Sequence, residues 1–219
     1  SIKKIMKIKS HNSAYYRKVI DNFNYYLKDF KNPKILEFGV RTGISTNFFL
    51  DICKKKNGKL ISVDIDNYEN LFKSKYWTFI HARDDNFEYI KKILPKTLDV
   101  IHLDSYHEAK HVANIIYIYY PLLKPGGMFF VDDISCLPYL KGEKKDSFGN
   151  EIANQETFEI IQEIFFHNKE NFDLNFSFTD SGYAILKKLN NRNLNYYRKL
   201  SFRKYSIQNL SRKIKKYLT

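Results

Sequence analysis

Asp104 and His107 stand three residues apart at the end of one apolar run, and Asp132 and Asp133 stand together at the end of another. Carboxylates brought together repel, which raises the pKa of at least one of them. A hard divalent cation with oxygen ligands relieves that repulsion. An imidazole titrates near neutral pH and can take a proton from a hydroxyl, more easily when a bound cation has acidified that hydroxyl. His107 is therefore the candidate general base. His111, one turn later, is a rival, and His102, inside the apolar run, is expected to point away from the site. The plainer alternative is that Asp104 caps the following helix, Asp132 caps a turn, and His107 is an exposed residue at a helix start.

A second group of residues suits a nucleoside. The run Ile35-Leu36-Glu37-Phe38 stops at Gly39, and Val40-Arg41-Thr42-Gly43 follows. Gly39 lets the chain turn sharply and leaves room at the backbone, and Gly43 opens the next helix without a side chain in the way. A pyrophosphate cradle needs a further glycine where Arg41 stands, so a dinucleotide is disfavoured. Asp64 ends the next apolar run, and a carboxylate there can accept both hydrogen bonds of a ribose diol. Asp66 stands behind it as a substitute.

These residues need elements to position them. Apolar runs at 35–38, 60–63, 77–80, 98–103 and 128–131 read as strands, and helical spacing is visible at 13–30, 44–56, 86–94, 108–123 and 154–168. Ser13 is a candidate N-cap, Lys54–Lys56 suit a helix C-terminus, and Pro95 and Lys124-Pro125-Gly126-Gly127 read as terminators. Two further strands, 172–178 and 183–187, follow one another without a helix. Strands alternating with helices imply a parallel sheet covered on both faces, here with an antiparallel hairpin at one edge. Ligands in such folds sit beyond the carboxyl ends of the strands, where all the residues above would lie. A polar loop, 135–152, with Leu137, Tyr139, Leu140 and Phe148, is expected to roof an acceptor pocket. The aromatic residues of the first helix are read chiefly as core.

The stretch Glu37-Phe38-Gly39-Val40-Arg41-Thr42-Gly43, with Asp64 after the second strand, resembles the glycine-rich motif of class I S-adenosylmethionine-dependent methyltransferases. Asp104-Ser105-Tyr106-His107, Leu123-Lys124-Pro125-Gly126-Gly127 and Val131-Asp132-Asp133 are similar to the subgroup of macrocin O-methyltransferases and cephalosporin-hydroxylase-like proteins. The resemblance covers 35–188. It implies a Rossmann-like methyltransferase fold, α/β, with a mostly parallel seven-stranded sheet. It implies S-adenosylmethionine held by Glu37, Gly39, Arg41, Gly43, Ser45, Asp64, Asp84 and Asp104. Arg83 falls where the family places an acid near adenine, so Asp84 or backbone groups would take that place. It also implies a divalent metal, Mg2+, on Asp104, Asp132 and Asp133, with His107 and Asp104 as the catalytic pair, and an O-methyltransferase acting on a hydroxyl of a small molecule, a sugar or glycoside. The alternative is a metal-independent methyltransferase acting on another small molecule, or on nucleic acid or protein docked by basic ends. A third reading, a non-catalytic binding protein, is disfavoured by retention of the whole set.

Composition bounds the rest. The chain has 219 residues, 43% apolar and 16% aromatic, enough for a sizeable core and too apolar for global disorder. No apolar run reaches the roughly 20 residues of a membrane span. The N-terminus, Ser1–Ser10, lacks the apolar segment of a signal peptide. Two cysteines make no disulfide framework, and a cytoplasmic location is expected. The net charge of +13 is uneven: +7 over 1–34, −3 over 35–188 and +9 over 189–219, the last with no acidic residue. Residues 1–34 are thus expected to form a basic helical extension and 189–219 a basic helical tail. The tail is either a solvated helix packed on the domain or a frayed end, or else an arm for RNA, a partner or a membrane surface. Association into a homo-oligomer is left open.

Overall fold

The computed structural model describes residues 13–135, 147–203 and 206–218. The elements run α1 (Ala14–Leu27), β1 (Lys34–Phe38), α2 (Ile44–Lys56), β2 (Lys59–Asp64), β3 (Trp77–His81), α3 (Phe87–Ile90), β4 (Leu98–Leu103), α4 (Ala109–Tyr119), a 3-10 turn (Tyr120–Leu122), β5 (Leu123–Asp132), α5 (Phe148–Asn168), β6 (Phe172–Ser177), β7 (Tyr183–Lys188) and α6 (Ile207–Leu218). One seven-stranded sheet has the order β3-β2-β1-β4-β5-β7-β6. β1 to β5 pair in parallel, and β7 pairs antiparallel with both β5 and β6. This is the expected Rossmann-like sheet. The strand order reverses between β1 and β4, so the crevice beyond their carboxyl ends is the natural ligand position.

The sheet is buried on both faces. Leu36, Phe38, Ile101, Leu103 and Phe129 pack toward α4 and α5 on one side, and Ile35, Val100, Phe130 and Ile185 pack toward α1 and α2 on the other. Such near-continuous apolar strands are what a parallel sheet covered on both faces requires.

Helix α1 departs from the expected basic extension. Its N-cap is Ser13, whose Oγ accepts from the Tyr16 N–H at 3.0 Å, but the helix packs into the domain. Val19, Phe23 and Leu27 are fully buried, and the Phe23 ring lies 4.5 Å from Phe49 and 4.6 Å from Phe130. Of its two basic residues, Arg17 is exposed and Lys18 is buried, as described below.

Four boundaries shift for local reasons. The helix expected over 86–94 closes after one turn, at Ile90, its one fully buried residue. The helix expected to reach 123 stops at Tyr119, with Pro121 in the 3-10 turn that follows. The Pro-Gly-Gly sequence lies inside β5, where Gly126 at φ +82° accompanies a shift of register between Leu98 and Val100; turn chemistry here makes a bulge. Helix α5 begins at Phe148, earlier than expected, with the Ser147 Oγ accepting from the Asn150 N–H. Phe148 is largely exposed. Leu137, Tyr139 and Leu140 of the expected roof lie outside the described residues.

Candidate active site

The nucleoside side is built at the end of β1. Gly39 has φ +91°, and a Cβ placed there would lie 1.8 Å from the Asp104 carbonyl oxygen. The backbones of the β1 and β4 ends touch, joined by the Asp104 N–H donating to the Phe38 carbonyl at 2.9 Å. Gly39 is therefore required first by the chain's own close approach. Gly43, at φ +74°, faces Leu71 and Phe72 side chains.

Asp64 braces the loop. Its Oδ2 accepts from the Val40 N–H at 2.6 Å and the Arg41 N–H at 3.3 Å, and its Oδ1 from the Asp66 N–H at 2.9 Å. Oδ1 retains a lone pair for a hydroxyl donor, while Oδ2 already accepts two hydrogen bonds. The Arg41 side chain is exposed. Asp84 faces inward, accepting from Ser105 Oγ at 2.5 Å and lying 2.9 Å from His111 Nε2, which removes His111 from the acid cluster. Arg83 points outward and forms a two-pronged pair with Asp85.

Glu37 and Ser45 differ from expectation. Both are buried beneath the loop, where Ser45 Oγ donates to Glu37 Oε1 at 2.6 Å and Ser62 Oγ to Oε2 at 2.7 Å. They support the glycine turn and are closed to direct contact with a ligand. Burial pushes the Glu37 carboxyl up to about 7, against the lowering effect of the serine hydrogen bonds. The folded protein therefore holds the Glu37 proton more tightly than the unfolded chain does, and stability falls as pH rises from about 4.5 through about 7. Relative to Glu37→Gln, the parent should lose roughly 3 kcal/mol across that interval. Denaturant titrations of both proteins at several pH values check this, and parallel stability curves would refute it.

The acid cluster lies at the ends of β4 and β5. His107 Nε2 is 3.5 Å from Asp104 Oδ1 and 3.3 Å from Asp133 Oδ2. Asp133 has φ +57°, a left-handed conformation uncommon for a residue with a side chain. Its N–H donates to Asp132 Oδ1 at 2.6 Å, and the Asn154 amide of α5, oriented to donate, meets its carbonyl at 3.1 Å. Burial and the Asp132 charge raise the Asp104 carboxyl well above the usual range, and the same two causes raise that of Asp133.

Two residues of α1 complete the cluster, and neither was expected there. Lys18 is fully buried and pairs with Asp132 Oδ1; its Nζ also donates to Ser181 Oγ at 2.6 Å. It lies over the rings of Tyr15 and Tyr183, 4.7 and 4.6 Å from their centres. Tyr15 donates its hydroxyl to Asp104 Oδ2 at 2.7 Å. A lone lysine inside the apolar stripe of Tyr15, Val19 and Phe23 was the available signal, because lysines are almost never buried without a partner. The expected repulsion is present, since the Asp132 charge raises both of its neighbours, but Asp132 itself is paired from α1 by Lys18.

His102 is also corrected. Two residues before Asp104 in a strand means the same face, since side chains alternate. His102 lies beneath the cluster, in the core beside Phe23 and Phe49. Burial, reinforced by the Lys18 charge, lowers it to about 3, so it is a neutral packing residue.

The residues present fit a divalent cation. With all three ionised, Asp104, Asp132 and Asp133 would carry three negative charges against one positive on Lys18, a remainder that one divalent ion would balance. Asp132 Oδ2 is buried and accepts no hydrogen bond among the described residues. Two overlapping sets bring one ligand atom from each member within 4.8 Å of the others: His102 with Asp104 and Asp132, and His107 with Asp104 and Asp133.

With the geometry in place, comparison with known proteins shows what the chain is similar to. Residues 36–134 match the model of a family described as a methyltransferase domain. Residues 36–134 are thus similar to that methyltransferase domain, and the seven-stranded sheet is the Rossmann-like methyltransferase fold. Among solved structures, the MycE methyltransferase of the mycinamycin biosynthetic pathway, in complex with Mg and S-adenosylhomocysteine, superposes with a TM-score of 0.61 at 15% identity, covering 89% of this chain and 55% of that one. S-adenosylhomocysteine-bound PaMTH1 of Podospora anserina gives 0.60 at 12% identity, covering 84% and 96%. The plantazolicin methyltransferase BamL, with a desmethyl analogue and S-adenosylhomocysteine, gives 0.57 at 15%, covering 88% and 92%. The chain spans about half the length of the MycE chains. At these identities the likeness is one of fold. No curated protein matches the chain.

Proposed function

We propose that this protein transfers a methyl group from S-adenosylmethionine to a hydroxyl of a sugar or glycoside, in a cytoplasmic setting, with His107 as general base. The observation that carries the reading is the His107 imidazole held against Asp104 and Asp133, beside the glycine loop of β1. S-adenosylmethionine supplies a methyl already activated on sulfonium, so the protein's task is alignment and proton removal. Asp64 would receive the ribose diol, and Gly39 and Gly43 leave the loop close to the nucleoside. As the methyl passes to the acceptor oxygen, His107 takes the hydroxyl proton on Nε2. The imidazolium so formed lies against two carboxylates that stabilise it. The products are the methyl ether and S-adenosylhomocysteine.

A divalent cation, Mg2+ by chemistry, would be held by Asp104, Asp132 and Asp133 and would lower the pKa of a coordinated hydroxyl. MycE has been solved with Mg, S-adenosylhomocysteine and mycinamycin VI together, which supports a small-molecule acceptor here. One observation favours a metal-free version of the reaction, namely that Lys18 already occupies one side of Asp132.

The test is S-adenosylhomocysteine release with mycinamycin VI and a panel of simple hexosides, with Mg2+ and with a chelator. Turnover lost on chelation supports the metal-dependent reading, and turnover that survives it supports the other. His107→Ala should lower kcat by about 10²- to 10⁴-fold while leaving S-adenosylhomocysteine affinity within twofold or so of the parent. An unchanged kcat would remove His107 from the reaction.

A further inference from the structure

Helix α6 presents Ile207, Leu210, Ile214 and Leu218 at the spacing of a single stripe, three or four residues apart. All four are exposed, Ile207 at 87% and Leu218 at 81%. Arg212, Lys213, Lys215 and Lys216 fan around the rest of the helix, and no acidic residue occurs anywhere from 189 to 219. The helix is well formed for its surroundings. Ser206 Oγ accepts from the Asn209 N–H at 3.2 Å as a cap, and the lysines of the last turn complement the helix dipole.

The chain leading to it is tied down. Tyr196 stacks on Tyr117 at 4.7 Å, and the Tyr197 N–H donates to the Tyr117 hydroxyl at 2.8 Å. The Asn168 amide donates to the Asn195 carbonyl at 2.8 Å, and the Leu200 N–H to Glu163 at 3.1 Å. The connection is therefore anchored on α4 and α5 as far as Leu200, and the amphipathic helix begins just beyond.

We propose that α6 is an interfacial helix that binds a bilayer containing anionic lipid, its apolar stripe among the acyl chains and its basic residues at the headgroups. The charge argument selects the occupant. A solvated helix has no use for a continuous exposed apolar stripe. A nucleic acid needs the basic residues but not the stripe. A second copy of this helix would bring an acid-free basic surface against another of the same sign. Only an anionic apolar surface satisfies both faces together.

The test is co-sedimentation of the full chain with vesicles of phosphatidylcholine alone and of phosphatidylcholine mixed with phosphatidylglycerol, at low and high salt. Binding is expected to the mixed vesicles, weakened by salt and weak on phosphatidylcholine. Leu210→Ser with Ile214→Ser should abolish it. Lys213→Glu with Lys216→Glu should lower it on the order of tenfold or more. These residues are exposed, so the melting temperature and methyl transfer of both variants should match the parent, which separates loss of binding from loss of folding. Absence of binding to the mixed vesicles overturns the proposal, as does binding that the serine variant retains. Two further outcomes also overturn it: salt-sensitive RNA binding that the serine variant retains, and self-association that it removes in protein that does not bind vesicles.

Discussion

Replacing Lys18 by Met lowers the melting temperature by roughly 6–20 °C. The change leaves Asp132, buried with an oxygen that has no hydrogen-bond partner among the described residues, without its counter-charge. Breaking a buried pair from one side costs about 3–5 kcal/mol, and for a chain of this length each kcal/mol is worth roughly 2–4 °C. The double variant Lys18→Met with Asp132→Asn removes both charges and should recover more than half of the loss. A single variant that melts with the parent would show that the ammonium is not what compensates Asp132. The consequence reaches the site, because Lys18 and Tyr15 on one helix hold Asp132 and Asp104 on two strands. Loosening α1 therefore releases two acids of the cluster together.

Gly39→Ala should be worse. The added methyl would meet a backbone oxygen at 1.8 Å, and no side-chain rotation relieves a clash with main chain. The φ of +91° adds strain of its own for any residue with a Cβ. A loss beyond about 4 kcal/mol is expected, read as insoluble protein or absence of a cooperative melt. Gly43→Ala is the comparison. Its Cβ would meet Leu71 and Phe72, whose side chains can move, so a loss of about 1–2 kcal/mol is expected. Equal behaviour of the two variants would contradict the claim that the β1–β4 approach is what demands Gly39.

The crevice was legible in the sequence because four strands, β1, β2, β4 and β5, announce themselves as apolar runs and stop at a glycine or an acid. Those stops, Gly39, Asp64, Asp104 and Asp132, converge because parallel strands end on the same side. The roles beneath the surface were less legible. Glu37 reads as part of a ligand motif, yet its oxygens are taken by Ser45 and Ser62, the latter 25 residues away. Lys18 counts toward a basic N-terminal segment until the fold carries it across 114 residues to Asp132. Charge counted along the chain cannot reveal such a pair. The early start of α5 was missed for a different reason: its first turn, Phe148-Gly149-Asn150-Glu151, is mostly exposed and carries no periodic apolar signal.

The claim that the β1–β4 crevice holds the nucleoside, with a cation at the acids beside it, is tested most directly by thermal unfolding with S-adenosylhomocysteine at about 100 times its Kd, repeated with Mg2+ and with a chelator. A ligand at that excess adds about 2.7 kcal/mol, a rise of roughly 5–11 °C for this chain. The expected result is that rise, with a further increment from Mg2+ that the chelator removes. A melting temperature indifferent to both nucleoside and metal would contradict it.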